Sequence, residues 1–253
     1  MDYEANRRVE TSARTFALVE HLSGVGQAGV SELASELEMS KGIVHNHLST
    51  LREEGYVRKI DGRYQLSPKL LDVGFEARSN SPLYRYATEV CREFAGHLDV
   101  GIALFEQANR SCTIVEAHRV PEQVAVEVGS SLPFYDSLVG LVIHAVDGAE
   151  RDEDGEPSTY DVDQIKTDLD ADGYTVGPLA GENLTESVAV PIVTEDGVCY
   201  GSVGVLLPDD REAERKQRVA EGVVSLRNRI ESRFDSGWTG ERSFTTEKHT
   251  WVG

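Results

Sequence analysis

Apolar residues recur along residues 29–57 with the spacing of two short helices and a strand. In the first, Leu33, Ala34 and Leu37 share one face, and Ser31 is read as its N-cap. A turn carrying Met39 and Ser40 follows. A second helix opens with Ser40 as its cap and shows Ile43, Val44, Leu48 and Leu51 as one stripe. Lys41, Gly42, His45, Asn46 and Ser49 are left on the face turned away from the core. Gly55 suits the left-handed residue that ends a helix. Residues 56–60 then alternate like a strand, Asp61-Gly62 is a two-residue hairpin signal, and residues 63–66 return.

Helix, tight turn, helix and hairpin in this order predict a winged helix-turn-helix, which places a recognition helix in the major groove of double-stranded DNA. Ser40, Lys41, Gly42, His45, Asn46 and Ser49 are the candidates for base edges and nearby phosphates, and Arg58, Lys59 and Arg63 are the cations of the wing. An N-terminal helix over residues 9–24 is predicted to turn Val9, Ala13, Phe16, Ala17 and the run 19–22 inward. This DNA-binding domain spans residues 1–67. Residues 68–81 form a connecting helix, with Ser67-Pro68 at its start and Leu70, Leu71 and Phe75 available to pair subunits.

A second domain, residues 82–234, alternates helices and strands. Helices are predicted over 83–98, 137–146, 162–169 and 209–234. Strands are predicted over 100–105, 113–118, 124–128, 173–176, 187–193 and 198–206. The order implies one antiparallel sheet with helices on its faces, so the chain is α+β overall. Residues 147–159 are a strongly acidic loop, and 235–253 have no periodicity and read as a flexible tail.

Charge changes the picture. The chain of 253 residues carries a formal net charge of −19. Residues 1–75 hold nine Lys or Arg against eleven Asp or Glu, a net of −2, and the remainder 16 against 33, a net of −17. The acid is therefore concentrated outside the DNA-binding segment. Six Lys stand against nineteen Arg. Abundant carboxylates with little Lys point to a halophilic protein working in concentrated salt, where charges are screened within about 3 Å. Three distant cysteines, Cys91, Cys112 and Cys199, without a CxxC pair imply buried thiols in a reducing, cytoplasmic setting. No apolar run is long enough for a membrane helix. His45 and His47 lie two apart on a helix and cannot share a metal. No GxSxG, HExxH or P-loop is present, so no catalytic set, metal site or cofactor is expected.

Residues 7–234 resemble the IclR family of transcriptional regulators, through SELASELEMSKGIVHNHLSTLREEGYV and YQLSPKLLDVG in the first domain and GSSLPFYDSLVG, DGYTV and SVAVPIVTEDGVCYGSVGV in the second. The resemblance implies a homodimer or homotetramer, a palindromic operator, and a GAF-like effector-binding domain whose sheet carries a pocket for a small molecule. Carried onto this chain, that pocket is lined by Leu132, Phe134, Ser137, Leu138, Val139, Tyr174, Ser187, Ala189, Val203 and Gly204. The chain departs from the family at Asn46, where Arg is frequent. It departs again at Ser187, Gly204 and Leu206, where carboxylate-sensing members place Cys and serines. Asn favours adenine over guanine, and the pocket has few polar groups. An effector larger or less acidic than a two- or three-carbon acid is expected. The alternative is a DNA-binding protein whose second domain serves only oligomerisation.

Overall fold

The computed structural model describes residues 7–147, 160–181, 183–207 and 213–237. The chain divides into two compact units between Asn80 and Ser81.

The first unit holds α1 (Glu10–Val25), α2 (Val30–Glu36), α3 (Lys41–Glu53), β1 (Val57–Ile60), β2 (Arg63–Leu66) and α4 (Lys69–Ser79). Its core is Leu18 and Leu22 from α1, Leu33 and Ala34 from α2, Val44, Leu48 and Leu51 from α3, and Val57 and Tyr64 from the hairpin. The inward set expected of α1 needs correction. Phe16 is 66% exposed and Val9 is exposed too, while Leu18 is fully buried. At about 100° per residue Phe16 lies nearly opposite Leu18, and the pair Leu18/Leu22 fixes which face docks.

The start of α2 also differs from expectation. It begins at Val30, and the Gly29 N–H donates to Glu32 Oε2 at 2.8 Å, so Ser31 is not the cap. Ser40 does cap α3, accepting from the Ile43 N–H at 3.3 Å. Gly55 (φ 79°) ends α3, with the Tyr56 N–H donating to the Leu51 carbonyl at 2.8 Å. Asp61 (φ 49°) and Gly62 (φ 84°) are both left-handed, the type I′ geometry that matches strand twist. Ala28 and Tyr64 exchange both backbone hydrogen bonds, at 2.9 and 2.8 Å, and so tie the α1–α2 turn to the hairpin.

The second unit holds α5 (Pro82–Leu98), β3 (Ile102–Ala108), β4 (Ser111–His118), β5 (Ser131–Pro133), α6 (Leu138–Asp147), α7 (Val162–Ala171), β6 (Thr175–Ala180), β7 (Asn183–Val193), β8 (Cys199–Leu206) and α8 (Ala213–Gly237). The strands form one antiparallel sheet in the order β5-β4-β3-β8-β7-β6. Both faces are covered. Ile102, Leu104, Val190, Val203 and Val205 pack with residues of α5 and α8. Ala103, Phe105, Ile114 and Ala189 pack with Leu138, Val139, Val142 and Ile165 of α6 and α7. Two-sided burial explains why these strands read as near-continuous apolar runs.

One expected strand is absent. Residues 124–128 alternate in sequence but turn on themselves, the Val124 N–H donating to the Pro121 carbonyl and the Val126 N–H to that of Val124. Ser131–Pro133 pairs with β4 instead, after Gly129 (φ 89°) reverses the chain. The acidic residues 148–159 and the tail from 238 onward lie outside the described residues.

Gly140 in α6 permits the closest approach in this unit. A Cβ there would lie 2.0 Å from the Phe134 carbonyl oxygen. Backbone on that side cannot rotate away as a side chain could. Gly140→Ala should lower unfolding free energy by about 3 kcal/mol, measured by urea unfolding. An unchanged midpoint would contradict the packing described.

Candidate nucleic-acid interface and effector site

The buried stripe of α3 determines what its other face offers. With Val44, Leu48 and Leu51 in the core, Ser40, Lys41, Gly42, His45, Asn46 and Ser49 are all exposed, as expected from spacing. Asn46 keeps its side-chain amide outward while its carbonyl accepts from Thr50 Oγ1 at 3.2 Å. His47 is turned the other way. Its Nδ1 lies 2.8 Å from Thr15 Oγ1, a polar bond between α3 and α1. Nothing in the spacing marks Thr15, because its partner lies thirty-two residues on.

On the hairpin, Arg58 and Lys59 are exposed, and Lys59 Nζ sits 5.0 Å from the centre of the Tyr64 ring. Arg63 is held differently from the free wing cation foreseen in sequence. Its guanidinium donates to Glu32 Oε1 at 3.0 Å, to Glu32 Oε2 at 2.6 Å and to the Gln27 carbonyl at 3.2 Å. Arg63, followed by the Gly29 N–H, holds the Glu32 carboxyl below its ordinary range. Glu32 was absent from the sequence-derived interface because its partner is thirty-one residues away. Lys69 of α4 closes the end of α3 by donating to the Glu54 carbonyl at 2.7 Å.

In the second unit, the ten residues expected to line a pocket divide between two faces. Phe134, Leu138, Val139 and Ala189 belong to the α6–α7 side, with Leu132 packed against them. Ser187 and Gly204 share this side: Ser187 donates to the Gly177 carbonyl at 3.1 Å, and a Cβ on Gly204 would meet Val139 Cγ1 at 3.0 Å. Tyr174 and Val203 instead join the α5–α8 core, which corrects their assignment. Val203 and Gly204 are consecutive in one strand, so they cannot face the same side.

Among the described residues, two hydroxyls at the centre of the expected pocket are buried and bonded to backbone. Ser137 is fully buried and its Oγ accepts from the Gly140 N–H at 3.2 Å. Ser202, missed in sequence, is also fully buried and donates to the Val139 carbonyl at 2.8 Å. Ser202 shares the parity of Gly204, which is the signal that could have found it. A cavity of about 40 Å³ lies among Val124, Val126, Leu132, Leu179, Ala180 and Thr185. That volume suits one or two waters. A larger groove of about 670 Å³ lies on the outer side of α5 and α8, between Glu93, Phe94, His97, Arg218, Glu221 and Arg229. Among the described residues, no group of three His, Cys, Asp or Glu could hold a metal, and no helix is long and apolar enough to cross a membrane.

Comparison with known proteins agrees with this architecture. Residues 17–59 match a family described as bacterial regulatory protein, arsR family. Over the longer chain, the glycerol operon regulatory protein of Streptomyces coelicolor is 25% identical over 246 residues, covering 88% of this chain and 94% of that protein. The crystal structure of an IclR family transcriptional regulator from Brucella abortus superposes with a TM-score of 0.71 at 20% identity, covering 92% of this chain and 95% of that one. An IclR homolog from Microbacterium hydrocarbonoxydans, complexed with 4-hydroxybenzoate, gives a TM-score of 0.67 at 16% identity over 90% of this chain and all of that one. This chain therefore has the α+β fold of IclR-family regulators, an N-terminal helix-turn-helix followed by a curled-sheet domain.

Burial pushes the Cys112 thiol up to about 12 and the Cys199 thiol up to about 11, and it raises Cys91 as well. Thiolate, not thiol, is the reacting species. Native protein at pH 8 should therefore take up an alkylating reagent slowly at all three cysteines, with labelling accelerating about tenfold per pH unit toward the raised values. Rapid labelling of any one at neutral pH would contradict this environment.

Proposed function

We propose that this protein is a DNA-binding transcriptional regulator, a homodimer or homotetramer that binds a palindromic operator under the control of a small-molecule effector. The observation that carries the reading is the geometry of α3. One face is fully packed, the opposite face presents Lys41, His45, Asn46 and Ser49, and a type I′ wing with exposed Arg58 and Lys59 follows at once. A helix so mounted delivers its free face to the major groove, while wing cations meet phosphates.

Pairing of two copies is supported by α4. None of its residues is buried, and it exposes Leu71 (59%) and Phe75 (57%). Exposed apolar side chains along one helix are a surface awaiting a partner. Control by an effector draws support from the homolog complexed with 4-hydroxybenzoate, which has the same fold. The acid-rich, Lys-poor composition supports action in the cytoplasm of a salt-accumulating cell.

A second reading has its own observation. The hydroxyls of Ser137 and Ser187 are taken up by backbone partners, the Gly140 N–H and the Gly177 carbonyl. On that reading the second domain serves oligomerisation alone. Thermal unfolding with a metabolite panel that includes 4-hydroxybenzoate separates the two. A ligand of the native state raises the melting temperature with concentration, and a flat response across the panel favours oligomerisation alone.

Asn46→Ala should weaken binding to the operator, recovered from genomic binding sites, by about 1–3 kcal/mol while leaving random duplex binding unchanged. Fluorescence anisotropy on both duplexes checks this, and equal losses on both would place Asn46 away from base edges. Phe75→Glu should shift the protein toward monomer in sedimentation velocity and weaken operator binding with it. A variant that remains fully dimeric would remove α4 from the interface.

A further inference from the structure

We propose that the Glu32 carboxylate occupies, in the free protein, the place that a DNA phosphodiester takes on binding, so that Arg63 is handed from Glu32 to a phosphate. The inference rests on the DNA-binding reading above and concerns the residue pair that braces its wing.

Arg63 pairs in register with Ile60 across the turn at Asp61-Gly62, so it stands beside the wing tip. Its guanidinium meets both Glu32 oxygens, at 3.0 and 2.6 Å. A fork of two parallel N–H donors fits a carboxylate and a phosphodiester alike, because both offer two oxygens at similar spacing. The pair is open to solvent, with side chains 41% and 53% exposed, so an incoming anion can reach it. The wing cations therefore differ. Among the described residues no ion pair engages Arg58 or Lys59, whereas the Arg63–Glu32 pair is neutral as it stands.

The cost of that neutrality falls on DNA binding. A carboxylate seated on the guanidinium competes with the phosphate backbone for its best bidentate donor. Exposed ion pairs contribute little to stability, so the pair is cheap to exchange. The Gln27 carbonyl, 3.2 Å from the guanidinium, keeps Arg63 oriented while the anion changes. Glu32 thus acts as an internal competitor that lowers affinity for DNA of any sequence and leaves discrimination to base contacts.

The test uses the full chain and a mixed-sequence duplex of about 30 base pairs, followed by anisotropy over a salt series. Glu32→Gln retains an oxygen for the Gly29 N–H but loses the charge, and thermal unfolding confirms that it is folded. It should bind about fivefold more tightly at low salt, with the slope of log K against log salt steeper by roughly 0.9. Arg63→Ala should bind more weakly, and the double variant should bind no more tightly than Arg63→Ala alone. Binding by Glu32→Gln equal to or weaker than wild type would overturn the proposal, leaving Glu32 as a brace for the wing. An equal gain in the Arg63→Ala background would overturn it too, because the effect would then bypass Arg63. Absence of duplex binding by the wild-type protein itself would instead overturn the DNA-binding reading.

Discussion

Val44, Leu48 and Leu51 carry one side of α3 into the core of the N-terminal unit, and the character of the opposite side depends on that docking. Burial of three aliphatic side chains at helical spacing contributes several kcal/mol and fixes the rotation of α3 about its axis. Rotation is what exposes His45 and Asn46 together and turns His47 inward to Thr15. The remaining contacts refine this placement. Ser40 and Gly55 set the ends of α3, Lys69 fills its terminal carbonyls, and the Ala28–Tyr64 bridge holds the hairpin beside it.

The parts legible in sequence are those encoded within a few residues. Ser40, Gly55 and Asp61-Gly62 each act on their immediate neighbours, and each sits where its local chemistry places it. Interactions across long separations were hidden. Glu32 with Arg63, and Thr15 with His47, are made by the folding of one helix or hairpin onto another, and no local periodicity records them. The α1 face failed for a related reason. Phe16 is the largest apolar residue of that helix, but the core accepts the stripe of Leu18 and Leu22, and size alone does not choose a face.

The second unit repeats the lesson with period two. Its central strands are apolar on both sides, so hydrophobicity identifies the strand without saying which helices each residue meets. Alternation supplies the missing bit once a single residue is placed. Ala189 against α6 puts Ser187 on the same side, and Gly204 against Val139 excludes Val203. The false strand at 124–128 shows the opposite limit. Its alternation is good, yet its N–H groups bond locally near Pro121, and the edge position goes to Ser131–Pro133. An edge strand needs few residues, so a short segment in register displaces a longer one that is not.

Charge acts differently in the two units. With a net of −2 over residues 1–75 against −17 over the rest, the segment proposed to meet DNA is close to neutral rather than basic. Binding by such a surface gains less from counterion release than a basic one would, and concentrated salt reduces that gain further. Under those conditions a neutral Arg63–Glu32 pair forfeits little, since the attraction it withholds is already screened. On the proposed reading, base contacts through Asn46 and its neighbours on α3 would then carry a larger share of the discrimination. The acid-rich composition and the paired wing arginine are thus consistent with one arrangement, in which long-range attraction is kept low and short-range hydrogen bonds choose the site.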